Sequence, residues 1–275
     1  MAQNNTPSIW AFIALELYAG IGFLVMQLTA ILSSNVRRSR VWYCFCMSWT
    51  LFCVSCCLLF FSGQQFTDKP THGICLAQAS LVYSGPAFII SVSLSLLLEL
   101  HWRISFASSP GRTVLAERAR SPWLLAGPIA LWLILTLIYV IFGTSSLSNA
   151  APTLDNGLYC TFPNPFPRTF NSVVCLIISL IDVFLLGLVL RAIIRHENKS
   201  IAHQYKGTVI RVVVMIVLGL AAVIATAIMA SQDQSSIAVH IAGQACLPAA
   251  VMTLFGSQKA LLNTWKEAAK SVLRV

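Results

Sequence analysis

Seven runs of about twenty apolar residues divide this chain, and each is long enough to cross a hydrocarbon core of roughly 30 Å. They fall at 8–33, 41–62, 74–102, 123–143, 169–194, 209–230 and 237–256. Breaker residues separate them: Asn35 to Arg40, Gly63 to Gly73 with Pro70, Ser108 to Pro122, the Pro163, Pro165 and Pro167 group, and Ser231 to Ser236. Backbone groups in lipid must bond within their own segment, so each run is expected to be a helix. Only 10% of residues are charged and 57% are hydrophobic, against roughly 25% charged in a soluble domain. The expected fold is an all-α membrane protein, with a seven-transmembrane helix bundle over 1–256 and a tail over 257–275. The first run has no basic residues before it and no small-residue cleavage site after it, so it reads as a signal-anchor helix rather than a cleaved leader.

Lys and Arg fix the orientation. Of 18 basic residues, all but Lys69 and Arg168 fall on one face of the seven-span scheme. That face is therefore cytoplasmic, with the amino terminus outside and the carboxyl terminus inside. The formal charge of +9 is then orientation charge resting against anionic membrane lipid, and it requires no nucleic acid.

This topology sorts the nine cysteines. Cys44, Cys46, Cys53, Cys56, Cys57, Cys175 and Cys246 lie within helical runs, where a free thiol behaves as a small apolar group. Cys75 and Cys160 alone face an oxidising compartment, so a disulfide between them is expected, the alternative being two unpaired loop thiols. Beyond Gly256, the segment SQKALLNTWKEAAKSVLRV places Leu261, Leu262, Trp265, Ala269, Val272 and Leu273 on one helical face, with most of its basic residues on another. Such a segment is expected to be a short amphipathic helix lying in the inner interface.

Several stretches together carry a resemblance: LELYAGIG, NVRRSRVW, CMSWTLFCVSCCLLFFSGQ, GICLAQASLVYSGP, GLYCTF, IRVVV and LFGSQKALLNTW. In this order along nearly the whole chain they resemble a largely uncharacterised family of basidiomycete fungal seven-transmembrane, G-protein-coupled-receptor-like proteins. The resemblance implies a receptor-like protein of the plasma membrane and a heterotrimeric G protein as cytosolic partner; it supplies no ligand. The pattern of rhodopsin-like receptors is not followed. The third span ends in Glu99-Leu100-His101-Trp102-Arg103, the sixth has no proline, and the seventh has Pro248 without the expected Asn and Tyr. Glu99 and Arg103 are four residues apart and so share a helical face. With Arg211 they are candidates to line a cytoplasmic opening, ordinary interfacial anchoring being the alternative.

Ionisable groups inside a span are costly and point to function. Asp182 falls near the middle of the fifth span, Glu16 in the outer third of the first and His240 near the outer end of the seventh. If the first and seventh helices are neighbours, Glu16 is brought towards His240. Few residues precede the first span, so an unknown extracellular ligand is expected in the outer half of the bundle. Candidates to contact it are Glu16, Gln78, Tyr83, His240 and Gln244, beneath a lid around Tyr159, Cys160 and Phe162; each has a packing role as its alternative. Asn4 begins a glycosylation sequon on the outer side, whereas the Asn198 sequon faces the cytosol.

Other classes fit less well. No lysine lies in 237–256 to hold retinal, the histidines are scattered over loops and opposite ends, and no nucleophile–base pair is visible at membrane depth. No enzyme activity and no cofactor is expected. The competing reading is a small-solute transporter built from inverted repeats, but spans 1–3 are rich in Cys, aromatics and Ser where spans 5–7 are rich in Val, Ile and Ala.

Overall fold

Helix starts and stops follow local chemistry at some ends and tertiary contacts at others. The computed structural model describes residues 6–33, 38–67, 69–107, 121–145, 151–154, 157–195, 199–230 and 244–272. Its helices are α1 (Thr6–Leu32), α2 (Arg40–Cys56), α3 (Leu58–Phe61), α4 (His72–Ala107), α5 (Trp123–Thr144), α6 (Pro165–Arg195), α7 (Lys199–Ala230), α8 (Cys246–Gly256) and α9 (Lys259–Val272). Four of them, α1, α4, α5 and α6, are long and apolar enough to cross a membrane. Val209–Ala222 within α7 and the whole of α8 are shorter apolar stretches. This all-helical architecture fits an integral membrane protein, as do the exposed apolar side chains on its outside, among them Ile31, Leu137, Phe184 and Ile194.

Ser39 opens α2 by accepting a hydrogen bond from the Trp42 N–H at 3.2 Å, a standard N-cap. The run expected as one helix over 41–62 is interrupted at Cys57, where a turn separates α2 from α3. No glycine or proline lies there, and Gln78 of α4 donates to the Ser55 and Cys56 carbonyls at the break. The proline group that reads as a breaker instead starts α6. Pro165 and Pro167 sit in its first turn, where a missing N–H costs nothing, and Asn164 Oδ1 accepts from the Phe166 N–H at 2.8 Å. The inner connection between the fifth and sixth runs is also mostly helix, since α6 continues to Arg195 and α7 begins at Lys199. Pro86 and Pro128 lie inside α4 and α5, where a transmembrane helix tolerates them.

Helices α1, α2, α4, α6, α7 and α8 close into a ring in which each touches the next, and α5 packs at its edge against α4 and α2. The first and last apolar helices are therefore neighbours, as the sequence reading supposes. Aromatic rings bind the α1, α2 and α8 side: Phe23 stacks on Trp49 at 5.7 Å and Phe45 meets Phe255 at 5.0 Å. Phe88 stacks on Trp132 at 5.1 Å between α4 and α5. Where α1 crosses α2, a Cβ on Gly20 would stand 3.1 Å from the Cys53 Cβ, so the two backbones approach closely only because that position is glycine.

The tail helix α9 docks under α1. Trp265 Nε1 donates to Thr29 Oγ1 at 2.9 Å, Leu261 is fully buried, and Gln258 just before α9 accepts a hydrogen bond from Arg38. The Arg38 guanidinium also lies 5.4 Å from the Trp42 ring centre, within cation–π range. Leu262, by contrast, faces outward. Replacing Trp265 by Phe removes this bond together with the part of the indole that packs beside Gly256, so at least about 1 kcal/mol of docking free energy is expected to be lost. Limited proteolysis of the tail should then be faster in Trp265→Phe, and Thr29→Ala should add little to it.

Candidate functional site

The six-helix ring encloses a cavity of about 220 Å³. Most of its wall is apolar, with Trp49 and Phe52 from α2, Ile89 from α4, Met215 from α7 and Val251 from α8. One helix supplies most of the polar surface. Arg168, Asn171, Ser172, Cys175, Ser179 and Asp182 of α6 all line the cavity. Their spacing of three or four residues places them on a single stripe of the helix. From Arg168 to Asp182 the stripe spans about 21 Å at 1.5 Å per residue, from the disulfide end of the bundle to mid-depth.

Asp182 forms the floor. It is 3% exposed, and its Oδ1 has no hydrogen-bond partner among the described residues. A carboxylate oxygen held away from water without a donor is destabilising, so this atom is one half of an incomplete interaction.

The roof is the loop carrying Cys160. Cys75 at the start of α4 and Cys160 form the disulfide, with Cα atoms 5.3 Å apart. Thr153 and Thr161 exchange two backbone hydrogen bonds of 2.9 Å, and Gly157 makes the turn between them with φ +69°. Gln65 Nε2 donates to Gly157 O at 2.7 Å and Leu158 O at 3.0 Å. Phe162 inserts among Tyr83, Tyr139 and Phe142. Gly143 makes room for it, since a Cβ there would stand 2.4 Å from Leu76 Cδ1 and 2.9 Å from Phe162 Cε1. Tyr159 stacks on Phe12 at 6.0 Å and, with Thr161, faces the cavity. Burial, reinforced by Tyr83, holds the Tyr159 phenol above its ordinary range, so it stays a neutral donor.

Gln78 joins roof to frame. Its Nε2 donates to Cys56 O at 2.9 Å and Ser55 O at 3.2 Å, and its Oε1 accepts from the Cys160 N–H at 2.9 Å. Carbonyls at a helix end need donors. The break at Cys57 is therefore matched by a glutamine from the neighbouring helix. Gln78 is fully buried and spends its hydrogen-bonding groups on structure, and it does not line the cavity.

The expected contact residues thus divide. Tyr83 and Gln244 line the cavity, beneath the roof formed by Tyr159 and its neighbours. Glu16 is fully buried but faces the thiols of Cys53 and Cys56 across the α1–α2 interface. Thiols are weak donors, and neither Glu16 oxygen has a conventional partner among the described residues. His240 and Asn4 lie outside the described residues, so the proposed Glu16–His240 approach does too. At the other end of the bundle Glu99 and Arg103 form an intrahelical ion pair of 2.6 Å. Arg211 does not join them: its Nε donates to Leu254 O at 3.1 Å and its Nη1 to Gly207 O at 3.3 Å, which ties α7 to α8.

Arg168, Asn171, Ser172 and Ser179 were not among the residues singled out from the sequence. The signal was present: four polar residues recurring on the Asp182 side of an otherwise apolar run. Among the described residues no group of three or more His, Cys, Asp or Glu side chains is placed to hold a metal ion. The chain matches no known protein-family model and no curated protein.

Proposed function

We propose that this chain is a seven-transmembrane, G-protein-coupled-receptor-like protein of the plasma membrane that binds an extracellular ligand in the outer half of its helix bundle. The observation that carries this reading is the cavity, roofed by the disulfide-bonded loop and floored by Asp182, whose Oδ1 lacks a partner among the described residues. Counting α2 with α3, α7 and α8 as the remaining spans gives seven crossings, an outer amino terminus and an inner tail, in agreement with the distribution of Lys and Arg. The resemblance of LELYAGIG, GLYCTF and the other stretches to fungal receptor-like proteins supports the same reading. Ligand binding would favour one of two packings of the ring, and the change would reach a cytosolic partner, a heterotrimeric G protein, through the ends of α4, α7 and α8 near Glu99, Arg103 and Arg211. No enzymatic step belongs to this function.

A yeast reporter carrying chimeric G-protein α subunits, challenged with fungal culture extracts, tests it. Ligand-dependent nucleotide exchange is the expected result. Solute uptake into proteoliposomes without exchange would establish a transporter instead, and tags at the two termini found on the same side of intact cells would remove the topology.

A further inference from the structure

We infer that the cavity takes a small organic cation, with the ammonium group of an amine seated on the Asp182 carboxylate and an apolar body along the α2, α4 and α7 wall. The inference rests on the outward-facing site proposed above and adds the chemistry of its ligand. Asp182 is 3% exposed, and its Oδ1 lacks a donor among the described residues. Among the described residues the only basic side chain lining the cavity is Arg168, about 21 Å away along α6 and too distant to serve as a counter-charge. A ligand that brings a donor to that oxygen completes the interaction. An ammonium supplies both the charge and the hydrogen bonds, and charge-assisted bonds in a water-poor site are the strong ones. Trp49 and Tyr83, whose rings are of the kind that attracts cations, also line the cavity.

The opposite polarity fits less well. An anionic amphiphile would put its charge on Arg168 at the mouth, where screening is greatest, and lay its apolar end on Asp182, leaving the buried oxygen unsatisfied. A bare metal ion would need several ligands converging on one point, and no such group stands among the described residues. A volume of about 220 Å³ suits a single-ring amine rather than a larger ligand.

The test uses the full chain in lipid nanodiscs with three isosteric probes, phenethylamine, 2-phenylethanol and phenylacetate, each titrated at millimolar concentration while thermal unfolding is followed. Phenethylamine is expected to stabilise the protein most. Asp182→Asn should weaken its binding about tenfold or more, as loss of a charge-assisted bond implies, while Lys69→Gln, at an exposed position that does not line the cavity, should leave it unweakened. Equal stabilisation by the alcohol or the acid, no stabilisation by the amine, or unchanged amine binding in Asp182→Asn overturns the inference. Should Asp182→Asn fail to assemble, the native protein still answers. Dicyclohexylcarbodiimide is expected to label Asp182, read by peptide mass, and N,N-dimethylphenethylamine, a tertiary amine that cannot be coupled to the activated carboxyl, to protect it; labelling indifferent to that amine overturns the inference equally. Amine binding without nucleotide exchange would defeat the receptor reading and leave the site intact. Exchange driven by culture extracts, with no amine-specific effect in the nanodiscs, would do the reverse.

Discussion

Replacing Cys75 or Cys160 by serine should lower the unfolding temperature sharply and strip most of the protein from the membrane fraction of expressing cells. The bridge spans 85 residues, and in the chain-entropy model closing a loop of that length contributes about 4–5 kcal/mol. That is a large share of the roughly 5–15 kcal/mol that holds a typical folded domain together. The local consequence matters as much. Cys160 lies between Tyr159 and Thr161, which line the cavity, so the loss of the tether releases the roof at its centre. The double variant Cys75→Ser with Cys160→Ser should be no worse than either single one, because each single change already removes the whole bond. Thermal unfolding in nanodiscs with immunoblotting of the membrane fraction decides it. A single variant as stable and as abundant as the native chain would show that Gln78, Gln65 and the Thr153–Thr161 pairing hold the roof without the bridge.

Gln78→Leu should come close to the disulfide variants in severity, although it removes only one amide. The leucine fits the volume, but the Cys160 N–H and the Ser55 and Cys56 carbonyls lose their partner inside a buried junction. An unsatisfied buried polar group costs about 1–3 kcal/mol, so three together imply roughly 3–5 kcal/mol after partial relaxation. Gln64→Leu is the control: its Oε1 accepts from the Thr71 N–H at 2.7 Å in an exposed setting where water can replace it. The expected order in unfolding temperature is native, then Gln64→Leu, then Gln78→Leu well below. Faster reduction of the Cys75–Cys160 bridge by dithiothreitol in Gln78→Leu would show that the amide and the disulfide hold the same loop. Equal effects of the two glutamine changes would mean that the junction finds other partners.

Some of the site could be read from the sequence, and particular residues show why the rest could not. Cys75 and Cys160 stood out because orientation charge left only them facing the outer side, one at the start of the third run and one in an outer loop, and the structure joins them. Asp182 stood out because an acid in a span is costly, and it lies on the cavity floor. Glu16 and Gln78 attracted attention for the same reason, their polarity in apolar surroundings. One faces two thiols and the other fastens a helix break. Polarity at depth reports that a side chain needs a partner; it does not report whether the partner is a ligand or a neighbouring helix. Arg168 went the other way, counted as an outer-loop charge because Pro165 and Pro167 read as breakers, whereas prolines in a first turn begin a helix.

By itself the sequence determined the helical class and the fit to a membrane, because both depend on sums over many residues: about twenty apolar side chains per run, and basic side chains massed on alternate connections. Tertiary structure decided the interruption at Cys57, the closure of six helices into a ring, and the meeting of Tyr83, Gln244 and the α6 stripe at one cavity. Each of these depends on the few hydrogen bonds and ring contacts that residues far apart in the chain can make only after the helices have packed. Residue 78 can supply the carbonyls of 55 and 56 only when α4 already lies beside α2.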